Sequence, residues 1–149
     1  MKTLMITALF SVLSVSVATA VTTTNAQPEK ALAYVPNGKI ISQKNNEFDI
    51  LTTNNTIIEI ELKANGELDE ASGDNITKDT FTPDQGIVGL DAVVSEINAT
   101  ANGGTLSEWS LDNDLMHGWH YDVEVLKGNV EYEYLLDAKT GKVISSKED

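Results

Sequence analysis

The chain contains no cysteine and no arginine, and it has two histidines in 149 residues. Without cysteine, neither a disulfide bond nor a thiolate metal site can form, so packing alone must stabilise the fold. Ten lysines oppose 23 acidic residues, which gives a formal net charge of −13. A nucleic-acid binder needs cationic groups to displace counterions from phosphate, so we expect neither nucleic acid nor anionic lipid as a partner. The simplest explanation of the acidity is that it keeps the protein soluble. The alternative is that the acidic surface binds a basic partner or a divalent cation.

One long apolar run is present, and it lies at the N-terminus. Lys2 precedes apolar residues 4–17, and Ala18-Thr19-Ala20 follows with small residues at the positions a signal peptidase reads. The run is about fourteen residues long, shorter than the roughly 20 that a spanning helix needs. We therefore predict a signal peptide at 1–20, with a site ending at Ala26 as the alternative. The mature protein is expected to be soluble and periplasmic or secreted, without a membrane span.

The remainder of the chain shows internal similarity. Residues 48–50 resemble 121–123 at a separation of 73, residues 58–62 resemble 132–136 at 74, and residues 66–68 resemble 141–143 at 75. The separation changes where turns are expected, and turns tolerate insertions. The pattern favours two copies of one unit, in a tandem arrangement.

The second copy begins with a predicted helix. Thr82 and Pro83 suit the N-cap and the first helical position. Apolar residues then recur at spacings of three and four, which places them on one helical face. Glycines at 103 and 104 are expected to end the helix. The predicted apolar stripe consists of Ile87, Leu90, Val94, Ile97 and Ala101.

Period-two patterning predicts the strands. It indicates strands at 105–111, 120–126, 130–136 and 142–146, with charged residues on one face only, as in an antiparallel sheet covered on one side. In the first copy it indicates a hairpin of 48–52 and 58–62. Pro36 and the predicted signal peptide confine the helix of this copy to residues 28–35. Either this copy has a short helix, or its strands are covered by the second copy. The polar stretch 70–79 is interpreted as the linker.

Together these patterns predict an α+β fold of two units in tandem. Each unit is expected to pack one helix on a small antiparallel sheet of three to four strands. The expected boundaries are 21–73 for the first unit, 74–80 for the linker and 81–149 for the second unit.

The second copy resembles a PepSY domain. The resemblance rests on the segment 121–125, Tyr-Asp-Val-Glu-Val, and on the ending 136–144, Leu-Asp-Ala-Lys-Thr-Gly-Lys-Val-Ile. It covers roughly 81–149, and residues 36–73 look like a degenerate second copy. The resemblance implies an exported module without chemistry of its own. In protease propeptides such modules accompany an enzyme and are associated with its inhibition or folding.

Two histidines form the candidate metal site. His117 and His120 lie close to Asp112, Asp114 and Met116, and imidazole nitrogens suit copper or zinc. A spacing of three would bring the two rings together in a helix, whereas this stretch is predicted to be a loop that enters a strand. A pair of exposed histidines beside a strand is therefore the competing interpretation, and no cofactor is expected.

Three aromatic residues are the candidates for binding a partner protein. Trp109, Trp119 and Tyr121 lie on predicted strands, where aromatics usually belong to the core; an exposed indole would instead suit an interface. The sequence has no Gly-x-Ser-x-Gly motif and no cysteine nucleophile, so no enzymatic activity is expected. The remaining hypotheses are a protein-binding or protease-modulating module, a periplasmic metal-binding protein that uses His117 and His120, and a structural envelope component.

Overall fold

A computed structural model describes residues 27–76 and 80–149, and the predicted signal peptide lies outside these ranges. In chain order, a short helix and four strands are followed by a second helix and four more strands. The elements are α1 (Gln27–Tyr34), β1 (Lys39–Lys44), β2 (Glu47–Leu51), β3 (Ile57–Leu62), β4 (Leu68–Asp74), α2 (Leu90–Thr100), β5 (Thr105–Asp114), β6 (Gly118–Lys127), β7 (Val130–Asp137) and β8 (Val143–Glu148).

All eight strands belong to one antiparallel sheet in the order β1 to β8, so each strand pairs with its neighbour in sequence. The prediction of two separate helix-and-sheet units is therefore wrong. The strands β4 and β5 join what we expected to be two sheets, with Gly73 opposite Trp109 and Ala71 opposite Leu111. The first five residues of the polar stretch 70–79 belong to β4, and the boundaries 21–73, 74–80 and 81–149 stay a prediction.

Two rows of side chains run across one face of this sheet and form its core. Within each row, residues on adjacent strands lie directly opposite one another, because alternate residues of a strand point to the same face. One continuous cluster results, to which both helices contribute. The rows are Ile50, Ile58, Gly73, Trp109, Val123 and Tyr134, and Phe48, Ile60, Ala71, Leu111, Tyr121 and Leu136.

Helix α2 begins at Leu90, seven residues after the first helical position predicted from Pro83. Gly86 has a φ of +91°, a left-handed conformation that interrupts any helix starting upstream. The Thr82 N–H donates to the Tyr34 carbonyl at 2.7 Å, so this part of the chain is tied to α1. On the buried side of α2, Val93 replaces Val94 of the predicted stripe, alongside Leu90 and Ile97.

Helix α1 is as short as the sequence predicted, at eight residues. It lies against β1, β2 and β3 and buries Ala31. The Tyr34 ring stacks on Phe81 with centroids 6.4 Å apart, which connects this helix to the segment before α2. Within 27–76 and 80–149, neither helix is long and apolar enough to cross a membrane.

Candidate functional site

The turn between β5 and β6 is organised by Asp114. Its Oδ1 accepts hydrogen bonds from the backbone N–H groups of Met116 at 2.7 Å and His117 at 2.6 Å. Hydrogen bonds from the His117 backbone and side chain, in that order, lower the pKa of Asp114 to about 2. Gly118 completes the turn with a φ of +67°. The turn therefore holds an ionised carboxylate at the end of the hairpin.

This turn brings the two histidines together without a helix. The ring centroids of His117 and His120 are 5.5 Å apart. Sequence spacing suggested that only a helix would do this, but the left-handed Gly118 reverses the chain between them. His117 Nδ1 lies 3.0 Å from Asp114 Oδ2. One potential ligand atom from each of Asp114, His117 and His120 lies within 4.8 Å of the other two.

His120 is buried, with 5% of its surface exposed, and its ring is held at both nitrogens. Nδ1 lies 2.9 Å from the Gly118 carbonyl oxygen, which can only accept, so Nδ1 carries a proton and donates. Nε2 lies 3.4 Å from Asp122 Oδ2. In the protonated ring Nε2 donates toward this carboxylate, and in the neutral ring it offers a lone pair instead. The structure thus adds Asp122 to the set of potential ligands.

A cavity of about 340 Å³ opens in front of these groups on the helix-free face of the sheet. Its walls include Lys147, whose ammonium pairs with Glu133 at 2.8 Å and with Asp149 at 3.6 Å. Within residues 80–149, the polar contacts of both imidazoles are with carboxylates and a backbone carbonyl. This arrangement suits cation binding better than the activation of a hydroxyl nucleophile.

The predicted partner-binding aromatics are mostly internal. Trp109 is 2% exposed and Tyr121 is fully buried, and both pack in the core on the helix-covered face. Trp119 is partly buried against the same core. The large apolar side chains that are exposed at this end of the sheet are instead Leu115 and Met116, at the tip of the β5–β6 turn.

The helix-free face of the sheet, which we call the open face, carries a dense set of carboxylates. In one row, Asp74, Glu108, Glu124 and Glu133 lie opposite one another on four adjacent strands, and Lys147 follows. Sequence patterning indicated outward-pointing charges, but not which of them would become neighbours. The carboxylates of this face, by their strand positions, include Glu47, Asp49, Glu59, Glu61, Glu70, Asp74, Glu108, Asp112, Asp122, Glu124, Glu131 and Glu133.

Hydrogen bonding, burial and the charges of neighbouring acids raise the pKa of several carboxyls on this face. A hydrogen bond with Glu131, partial burial and the neighbouring acids raise the pKa of Glu124 to about 7. Burial, followed by the charges of nearby acids, raises the pKa of Glu59 and Glu70 above the usual range. Burial also raises the pKa of Asp122, against the opposing effect of His120. The open face therefore holds more negative charge than its two flanking lysines, Lys44 and Lys147, balance.

Residues 87–147 match the family described as "Peptidase propeptide and YPEB domain", PepSY. This part of the chain is a PepSY domain. The PepSY domain runs from the segment before α2 into β8, so it contains the histidine turn and half of the open face, while α1 and β1–β4 lie outside the match. The resemblance drawn from the ending at 136–144 is confirmed.

Solved structures show a distant likeness over 82–83% of this chain. A DUF2874 family protein from Bacteroides uniformis ATCC 8492 is 18% identical, with 83% of this chain and 85% of that chain covered and a TM-score of 0.44. A proposed lipoprotein from Clostridium difficile 630 is 17% identical, with 83% and 87% covered and a TM-score of 0.42. A proposed periplasmic protein from Bacteroides eggerthii DSM 20697 is 15% identical, with 82% and 84% covered and a TM-score of 0.43. No curated protein sequence matches this chain.

Proposed function

We propose that this protein is an exported, non-catalytic binding module that recognises a basic segment of a partner protein on its open face. The observation that carries the proposal is the row of Asp74, Glu108, Glu124 and Glu133, in register on four adjacent strands. The match to PepSY supports a non-catalytic role, because PepSY domains are typically propeptide-like modules. The N-terminal segment 1–20 supports export, through its sequence alone.

The row of carboxylates is itself costly to the stability of the free protein. Like charges directly opposite one another on neighbouring strands destabilise a sheet. The raised pKa of Glu124 shows that this carboxyl resists ionisation among its neighbours. A cationic partner removes that repulsion when it binds, so part of its binding energy comes from relief of a penalty already present in the free protein.

The dimensions of the face favour an extended partner segment. Eight strands spaced about 4.8 Å apart span roughly 34 Å, which an extended chain of about ten residues can cross. Two shallow grooves, of about 300 Å³ and 260 Å³, lie along this path, with Glu59 and Asp74 in the first and Asp122 and Glu124 in the second. A Lys- and Arg-rich segment lying across the strands meets carboxylates from β2 to β7. A protease with a basic surface is one class of exported protein that offers such a segment.

The experiment uses a synthetic ten-residue lysine peptide as the probe and a ten-residue glutamate peptide as its counterpart. The test variant carries Glu108→Gln, Glu124→Gln and Glu133→Gln. The matched control removes the same charge elsewhere, with Glu29→Gln, Glu67→Gln and Asp91→Asn at exposed positions off this face.

We expect the lysine peptide to shift amide resonances of β2–β7 and to bind more weakly as salt increases. The row variant should lose at least about tenfold in affinity, which corresponds to roughly 1.4 kcal/mol, while the control keeps its affinity. Equal losses in both variants would reduce the effect to net charge, and an absence of binding would end the proposal. Slower substrate cleavage by a basic exported protease on adding the protein would support the protease-modulating form.

A further inference from the structure

We propose that Asp114, His117, His120 and Asp122 form a binding site for a divalent late transition-metal ion, Zn²⁺ or Cu²⁺. The four residues come from the end of β5, the β5–β6 turn and the start of β6, and they line one cavity. Two imidazoles and two carboxylates are a donor set that both ions accept. The metal site shares Asp122 with the open face. A basic peptide needs only the charge of that face, so the two proposals can fail separately.

The spacing of the ligand atoms supports the proposal. Two ligands of a tetrahedral Zn²⁺ ion with bonds of about 2.1 Å lie about 3.4 Å apart. His120 Nε2 and Asp122 Oδ2 are separated by 3.4 Å, and His117 Nδ1 and Asp114 Oδ2 by 3.0 Å. The two pairs approach each other closely, since Asp114, His117 and His120 each place a ligand atom within 4.8 Å of the others. Small rotations of the exposed Asp114 and His117 side chains complete the coordination.

The orientation of His120 is already that of a metal ligand. Metal-binding histidines usually donate their other ring N–H to a carbonyl or a carboxylate, which fixes the tautomer. His120 Nδ1 donates to the Gly118 carbonyl at 2.9 Å and leaves Nε2 to face the cavity. Because the ring is 5% exposed, packing holds it in this position before any ion arrives.

Asp114 is held in the same manner. Its Oδ1 accepts two backbone N–H groups of the turn, so Oδ2 is directed at His117. Asp114 can thus bind the ion directly, or orient His117 so that the opposite ring nitrogen binds. In both arrangements the turn fixes the position of the ligands, which lowers the entropy lost on binding.

The test titrates tag-free protein with ZnCl2 and, separately, with CuCl2 in a calorimeter, and with CaCl2 for comparison. The chain has two histidines, so a long-range ¹H–¹⁵N spectrum contains two imidazole spin systems and reports directly on both. The variants are His117→Asn and Asp114→Asn, both at exposed positions, and the matched control is Glu59→Gln on the distant part of the open face. Circular dichroism verifies that each variant is folded.

We expect one Zn²⁺ or Cu²⁺ ion per chain, shifts in both imidazole systems, and affinity at least about tenfold lower in both variants. The Glu59→Gln control should bind like the unmodified protein. The proposal is overturned if neither metal gives heat, if the imidazole resonances do not move, or if Ca²⁺ competes equally. It is also overturned if Glu59→Gln weakens binding as much as His117→Asn, because the carboxylates of the open face would then be the ligands.

Discussion

Gly73 on β4 lies directly opposite Trp109 on β5, and the indole packs over the position that a Cβ atom would occupy. A Cβ built on Gly73 would lie 3.1 Å from Trp109 Nε1 and 3.1 Å from the Ile57 carbonyl oxygen. This contact joins the two halves of the sheet at their centre. A residue without a side chain is what allows the largest core side chain to cover the junction.

Gly73→Val should lower the free energy of unfolding by about 2 kcal/mol, because the indole must move away from an overfilled position. Urea denaturation followed by circular dichroism measures the change. Ser72→Val is the matched control, since it places the same side chain on the open face of the same strand. Similar losses in the two variants would show that the contact between Gly73 and Trp109 does not determine the stability of the junction.

Tyr121→Phe should cost about 1 kcal/mol of stability. The buried Tyr121 hydroxyl donates to the Val88 carbonyl at 2.7 Å, just before α2 begins. Removing the hydroxyl leaves that carbonyl without this hydrogen bond, while the ring still fills the core. Thermal unfolding measures the loss, with Tyr132→Phe on β7 as the control. Equal effects of the two substitutions would contradict a specific role for this hydrogen bond.

The stability gained from Glu124→Gln should depend on pH. The pKa of Glu124 rises from 4.5 to about 7 on folding, so the folded state binds its proton more tightly than the unfolded state. Its contribution to stability is fully present below pH 4.5 and is lost as the pH rises through 7. The variant should therefore match the unmodified protein at pH 4 and exceed its Tm by about 2–4 °C at pH 8.

Glu29→Gln on α1 serves as the control in the same pH series, since it removes a carboxylate away from the open face. The comparison is made as a difference between variants. Carboxyls whose pKa is lowered on folding, such as those of Asp114 and Asp137, lose their contribution to stability as the pH falls. These carboxyls are present in both variants and in the unmodified protein, so their contributions cancel in the difference. A gain that is the same at pH 4 and pH 8 would argue against proton linkage at Glu124.

Asp137→Ala should lower stability by about 1 kcal/mol by removing the hydrogen bonds that close the β7–β8 turn. Asp137 Oδ1 accepts from the Lys139 and Thr140 N–H groups at 3.0 and 2.7 Å and from the Thr140 hydroxyl at 2.9 Å. Hydrogen bonds from Thr140 also lower the pKa of Asp137. Asp137→Asn should keep most of the stability at neutral pH, as measured by chemical denaturation. A loss as large as that of Asp137→Ala would contradict this account.

Local patterning predicted the hairpins correctly. In the first hairpin, Phe48, Ile50, Ile58 and Ile60 are buried and the residues between them point to the open face. Alternation of this kind depends on the period of a strand, which is the same whatever the strand pairs with. The start of α2 was missed because the capping signals at Thr82 and Pro83 are local, whereas the left-handed Gly86 and the bond from Thr82 to Tyr34 belong to the tertiary structure.

Three of the four proposed metal ligands could be predicted from the sequence. His117 and His120 were recognised from residue type and spacing, and Asp114 from proximity in the chain. Asp122 was not, because its approach to His120 Nε2 follows from the burial of that ring. The aromatic candidates illustrate the same limit. Trp109 and Tyr121 lie on strands as predicted, but the face they occupy became internal once both helices covered it.

The sequence by itself determined the strands β2, β3 and β5–β8, the acidity and the PepSY ending at 136–144, since each depends on neighbouring residues or on composition. Only the tertiary structure decided that β4 and β5 pair, so that one sheet replaces the two we predicted. After Leu68, β4 resembles a linker because its core-facing residues are the small Ala71 and Gly73, and their size has meaning only opposite Leu111 and Trp109. The alignment of carboxylates on the open face follows from the same pairing, because register between strands far apart in sequence is set by how the core packs.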